Sequence, residues 1–78
     1  MNKLLSIDER PGPGMVVLTV ADFGRIFDRQ LWSKCTARRA GVCVASGLSI
    51  LPGSEVYRPV GNARIRSLRI LAAQIETQ

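Results

Sequence analysis

No histidine occurs anywhere in the 78 residues. The commonest general base and the commonest metal ligand are therefore both missing. Cysteine occurs only at Cys35 and Cys43. A structural zinc takes four good ligands, so one chain would have to recruit carboxylates, or two chains would have to share both thiols. Aromatic residues are limited to Phe23, Phe27, Trp32 and Tyr57, which makes the core mainly aliphatic. No apolar run approaches the roughly 18 residues that a spanning helix needs. No cationic segment followed by an apolar stretch marks a secretory signal. Neither a G-x-x-x-x-G-K loop nor a G-x-G-x-x-G loop is present. These absences speak against an enzyme, a cofactor, a metal site and a membrane partner. The expectation is a cytoplasmic protein with reduced thiols.

Arginine is what the chain has in excess. The formal net charge is +5. From Arg25 to Arg69 nine basic residues, eight of them Arg, face only Asp28 and Glu55. Such a balance attracts polyanions: nucleic acid, phosphate or an acidic protein face. Arg forks bind phosphates and carboxylates bidentately. At this length a single domain over 1–78 is expected, with a small core of marginal stability.

Taken in order, Met1 to Arg10 reads as a short strand or a mobile arm, and Pro11-Gly12-Pro13-Gly14 breaks regular structure and reads as a loop or small linker, so that residues 1–14 together could form a flexible N-terminal arm. Met15 to Val20 is short and β-branched, as buried strands are. A turn is expected at Gly24. Arg29 to Thr36 alternates, with Leu31, Ser33 and Cys35 on one face and Trp32, Lys34 and Thr36 on the other. A helix from Asp28 to Arg39 competes with that strand. Cys43-Val-Ala-Ser46-Gly47 has the outline of a zinc knuckle with Ser46 in place of the second thiolate, so packing is the expected support for it. Whether Cys35 and Cys43 pair depends on adjacent strands bringing them face to face. Leu48 to Ile50 and Glu55 to Arg58 read as a hairpin. Leu51-Pro52-Gly53-Ser54 suits a type II turn, which needs φ > 0 at its third residue. After the Asn62 cap, Ile65, Leu68, Leu71, Ala72 and Ile75 recur at helical spacing, and the spacing predicts a helix from Ala63 to Ile75. Arg64 and Arg66 crowd its positive N-terminal turn, which points to an anionic partner there.

The candidate site is the arginine set Arg38, Arg39, Arg58, Arg64, Arg66 and Arg69, with Trp32 and Tyr57 as candidate stacking surfaces and Ile70 as a candidate protein or homodimer contact. Cys35, beside Lys34, Arg38 and Arg39, or else Cys43, is the nucleophile an enzyme would use, and a structural role suits both better.

The residues Trp32, Ala37-Arg38, Gly41, Cys43, Ser46-Gly47, Ile50, Gly53-Ser54, Val56-Tyr57 and Pro59 fit W-x4-A-R-x2-G-x-C-x2-[ST]-G-x2-I-x2-G-[DS]-x-V-[FY]-x-P. That pattern resembles a family of short proteobacterial proteins built on a domain of unknown function. The resemblance runs from Trp32 to Ile75 and stops before Trp32. Ser54 stands where the pattern often has an acid. The order knuckle, hairpin, helix also looks like a treble clef without metal, which implies a fold and not an activity. The resulting expectation is an α+β fold: an antiparallel sheet or partly open barrel of three to five strands packed on one C-terminal helix. The expected role is a non-enzymatic regulator that contacts nucleic acid, or else a protein-interaction module or small inhibitor for an acidic partner.

Overall fold

The computed structural model describes residues 3–22, 25–61 and 64–77. Five strands form one antiparallel sheet that curls into a half-barrel: β1 (Lys3–Gly12), β2 (Met15–Asp22), β3 (Arg25–Thr36), β6 (Glu55–Pro59) and β7 (Ile70–Leu71), in that spatial order. β4 (Gly41–Val42) and β5 (Ser49–Ile50) pair as a separate two-stranded ribbon. A five-residue helix, α1 (Ala72–Glu76), closes the chain. The α+β expectation holds, with far less helix than the sequence suggests.

The meander β1–β2–β3 follows from alternation. Val16, Leu18 and Val20 are fully buried, while their neighbours Met15, Val17 and Thr19 are half-exposed. Cross-strand partners share a face. Leu5 and Ile7 lie opposite Val20 and Leu18, and Trp32 lies opposite Val16, so all join the same inner surface. The strand reading holds over Lys3–Gly12, and the proline–glycine stretch does not interrupt pairing. Gly12 pairs with Met15 across Pro13-Gly14. Gly14 supplies φ +70°, and its carbonyl accepts the Lys34 N–H at 2.8 Å. The tight turn converts the expected linker into a β-hairpin.

The meander carries three irregularities. β1 is bulged between Ile7 and Glu9 and again between Glu9 and Gly12. In β3 two residues, Asp28 and Arg29, stand opposite Thr19 alone. Arg29 takes φ +48° there. The Thr19 hydroxyl ties this bulge together: it accepts the Arg29 N–H at 3.2 Å and donates to Asp8 at 2.7 Å. The Arg29 guanidinium reaches Glu9 at 2.6 Å.

β3 pairs directly with β6, Thr36 opposite Glu55. The 37–54 segment is therefore an excursion from one long hairpin. Its base is closed by Ala37 N–H to Ser54 O and Gly53 N–H to Ala37 O, both 2.8 Å. The type II turn forms at Leu51–Ser54 as expected, with Gly53 at φ +94° and Ser54 N–H on Leu51 O at 3.0 Å. It does not join the expected strands, however. Ser49–Ile50 pairs with Gly41–Val42, and Glu55–Pro59 pairs with β3.

The expected helix from Ala63 to Ile75 is likewise corrected. Residues 64–67 form turns, Ile70–Leu71 is a strand, and only Ala72–Glu76 is helical. β6 has an open edge, and Ile70–Leu71 fills it: Val56 pairs with Leu71 and Tyr57 with Ile70. Of the apolar residues at helical spacing, Ile65, Ala72 and Ile75 are buried and Leu68 and Leu71 partly so, along a bent path. The expected cap at Asn62, Ala63 itself and the turn at Gly24 lie outside the described residues.

Strand β6 is covered on both sides. Val56 and Tyr57 are adjacent and so point to opposite faces, yet both are buried. On the Tyr57 side lies α1, whose Glu76 accepts from the Tyr57 hydroxyl at 3.3 Å and from Lys34 at 2.6 Å. Cys43, Ala37 and Ile50 belong to the same buried core. Arg10 reaches across from β1 to the Ile75 carbonyl at 3.1 Å.

Candidate functional site

The knuckle forms as a turn held by hydrogen bonds. Gly47 N–H meets Cys43 O and Cys43 N–H meets Leu48 O, each at 2.8 Å. Gly47 sits at φ +77°, and Ser46 Oγ accepts from Leu48 N–H at 3.2 Å. Cys43 is fully buried, and its sulfur accepts the Leu71 N–H at 3.3 Å. Val44 N–H bonds Arg69 O at 2.9 Å. The knuckle is thus docked on β7 by its own backbone and a thiol. Cys35 and Cys43 are both free. Among the described residues no group of three or more Cys, Asp or Glu side chains gathers as a metal would require. No helix among the described residues is long and apolar enough to cross a membrane.

Arg69 organises the arginines. Its guanidinium donates to Arg39 O at 2.8 Å and to Ala40 O at 3.2 Å. Gly41 makes room for it: a Cβ at that position would overlap the guanidinium. This clamp holds the turns at 64–67 against the 38–41 loop. It brings Arg69 itself onto the carbonyls that follow Arg38. Arg58 follows Tyr57 on β6, at the register step where Arg69 precedes Ile70 on β7. Arg38, Arg39, Arg58, Arg64 and Arg66 are all exposed, and Arg64 is engaged within the chain. Arg69 is half-buried and spent on backbone carbonyls, so it positions the set instead of presenting its charge.

Three other site expectations are corrected by burial. Trp32 is fully buried in the sheet's inner surface and offers no ring to a base. Its Nε1–H has no partner among the described residues. Tyr57 is 4% exposed and engaged with Glu76. Ile70 is fully buried in the chain's own core and leaves nothing for a second copy to cover. Large side chains are scarce here, and the core takes them first.

The acids in ion pairs go to Arg29 and Lys34. Glu9 holds Arg29, and Glu55 and Glu76 both hold Lys34. Hydrogen bonds to Glu76 and Glu55 raise the Lys34 ammonium above its ordinary value. The Lys34 hydrogen bond lowers Glu76. Burial, then the Glu76 charge, pushes Tyr57 up. Among the described residues no carboxylate lies within ion-pair distance of Arg38, Arg39, Arg58 or Arg66.

Residues missed by sequence reasoning are the apolar ones around the arginines. Val42, Leu48 and Leu51 are 62%, 55% and 63% exposed. Their signal was hidden because an aliphatic residue in a strand pattern reads as core. Comparison with known protein families, with curated proteins and with solved structures finds no match.

Proposed function

We propose that this chain is a non-enzymatic binding module, a small regulator that contacts nucleic acid through Arg38, Arg39, Arg58 and Arg66, with Arg64 alongside. The observation that carries the reading is the division of charge. Four exposed guanidinium groups keep no acidic partner among the described residues, while Glu9, Glu55 and Glu76 are spent on Arg29 and Lys34. Arg69 serves as a positioning residue that keeps two of the chain's segments together.

The test is binding of a fluorescent oligonucleotide followed by anisotropy across salt. Phosphate contacts release counterions, so four contacts to duplex give a slope of log K on log salt of about −3.6, and affinity falls about 150-fold between roughly 50 and 200 mM. Replacing Arg38 and Arg39 by Gln should flatten the slope by about 1.8. Salt-insensitive binding, or a slope unchanged by those substitutions, removes the proposal. Co-purification of one stoichiometric acidic protein, without nucleic-acid binding at low salt, would replace it with the protein-interaction reading.

A further inference from the structure

β1 is an outer strand of the sheet, and from Lys3 to Ile7 it pairs with β2 without a register shift. Along such a strand every second residue turns its N–H and C=O away from its neighbour. Among the described residues none of those outward groups in Lys3–Ile7 meets another backbone group of the chain. The strand is also guarded unevenly. Both bulges, the charged run Asp8-Glu9-Arg10 and Pro11 all come after Ile7. Charge, proline and bulges are what blunt a sheet edge, and Leu4-Leu5-Ser6-Ile7 has none of them.

The occupant that fits this stretch is a second copy of the chain. The sheet's other edge is taken: on β7 the Leu71 N–H goes to Cys43 Sγ at 3.3 Å, and Arg69 O receives the Val44 N–H at 2.9 Å. Two copies can therefore join into one sheet only β1 to β1, and that contact is two-fold and closed. Outward groups must meet outward groups, so the antiparallel register centres on a residue. Centred on Leu5, it uses the whole regular stretch, with Lys3 opposite the partner's Ile7. Pairing then stops where the partner's Asp8 and Glu9 begin, and the positive Lys3 position ends beside those acids.

Charge over the rest of the molecule favours this place. Lys3 lies level with Asp22 and Arg25, whereas Gly12 lies level with Met15 and Ser33. The excursion that carries Arg38 and Arg39 leaves β3 beyond Ser33, past Thr36. Lys3–Ile7 thus sits at the corner of the sheet diagonal to those arginines, and β2 and β3 separate it from Arg58 on β6. Like charges of two copies stay out of the contact.

We propose that two copies pair antiparallel along Lys3–Ile7, centred on Leu5, into one continuous sheet. A pairing this short covers less surface than a stable interface does, so the dimer is weak and concentration-dependent.

Sedimentation velocity of the full chain from micromolar to millimolar concentration reads the mass, and amide hydrogen exchange at both ends of that range reads the edge. The mass should rise from one chain to two and stop, and outward amides within Leu4–Ile7 should exchange several-fold more slowly at the high end. Ser6 is exposed beside the axis. Ser6→Lys sets like charges of the two copies close together and should weaken the dimer about tenfold or more, with Trp32 emission unchanged. If that emission is lost, the exchange data decide. A mass that stays at one chain, a mass that climbs past two, or a dimer that leaves those amides unprotected or survives a folded Ser6→Lys unweakened overturns the proposal.

Discussion

Truncating Arg69 to alanine removes the two hydrogen bonds that fasten the 64–69 segment to the carbonyls of Arg39 and Ala40. A hydrogen bond from a charged group contributes about 1.5–3 kcal/mol when sheltered. This guanidinium is only half-buried, so about 1–2 kcal/mol is expected for both bonds together. Gly41→Ala acts on the same bonds from the other side. The added methyl takes the guanidinium's place, and the arginine swings away. A glycine whose φ is not positive gains roughly 0.5 kcal/mol from substitution by alanine through the unfolded chain. The net cost of Gly41→Ala in the wild type is therefore about 1 kcal/mol. In an Arg69→Ala background the obstruction is gone, and the same substitution turns neutral or stabilising by about 0.5 kcal/mol. The cycle predicts a coupling of about 1–2 kcal/mol and a change of sign. Urea titration followed by emission of the single tryptophan, Trp32, reads it. For a domain of this size each kcal/mol also moves the thermal midpoint by about 4–8 °C. If Gly41→Ala costs the same in both backgrounds, the clamp does not exist as described.

Trp32→Phe removes a buried N–H that has no partner among the described residues. It should stay within about 1 kcal/mol of the wild type by circular dichroism, whereas Trp32→Ala should lose about 3–5; equal losses would mean that the indole N–H is satisfied. Arg29→Gly relieves φ +48°, a strain of about 1–2 kcal/mol, and gives up one exposed ion pair of about 0–1. Its calorimetric midpoint should hold or rise, and a clear fall would count against the bulge strain. The Lys34–Glu76 pair sets two pH limits. Glu76 is lowered in the fold, so its contribution is full above the ordinary 4.5 and is lost as pH falls through its folded value. Lys34 is raised, so its contribution is full below 10.5 and is lost as pH rises through its folded value. Glu76→Gln should flatten the acid limb of a stability–pH curve; an unchanged acid limb would remove Glu76 from the account. The single tyrosine should ionise above 10.0 in an absorbance titration, since burial and the Glu76 charge both resist its anion.

Local chemistry was readable in advance where one short stretch decides it. The β-branched run at Met15–Val20, the alternation through Trp32, the Pro52-Gly53 turn and the knuckle at Gly47 all form as their residues suggest. What needed the whole molecule was the partner of each piece. Ser49–Ile50 and Glu55–Pro59 flank one turn, yet one pairs backward with β4 and the other with β3, because the Ala37–Ser54 closure brings distant backbone together. Ile65, Leu68, Leu71, Ala72 and Ile75 carry a helical period that the open edge of β6 overrides: strand pairing there satisfies backbone groups a helix would leave exposed. The arginine excess was legible from composition. That Arg69 would bond two carbonyls was not, because no local pattern marks a guanidinium's acceptor. The burial of Trp32, Tyr57 and Ile70 reflects a shortage of large side chains in a chain this small.

The two bulges in β1 bear on what the sheet refuses. β1 is the outer strand of the half-barrel, and an unpaired strand edge is a template on which another chain can add. Past Ile7 the bulges interrupt its register twice, and Asp8, Glu9 and Arg10 line that stretch. A foreign strand arriving there meets backbone groups out of step and three consecutive charged residues. Only the regular portion before the first bulge could accept a partner strand, too short to seed a growing stack. The irregularities of β1 thus also disfavour polymerisation of a mostly-sheet protein along its own edge.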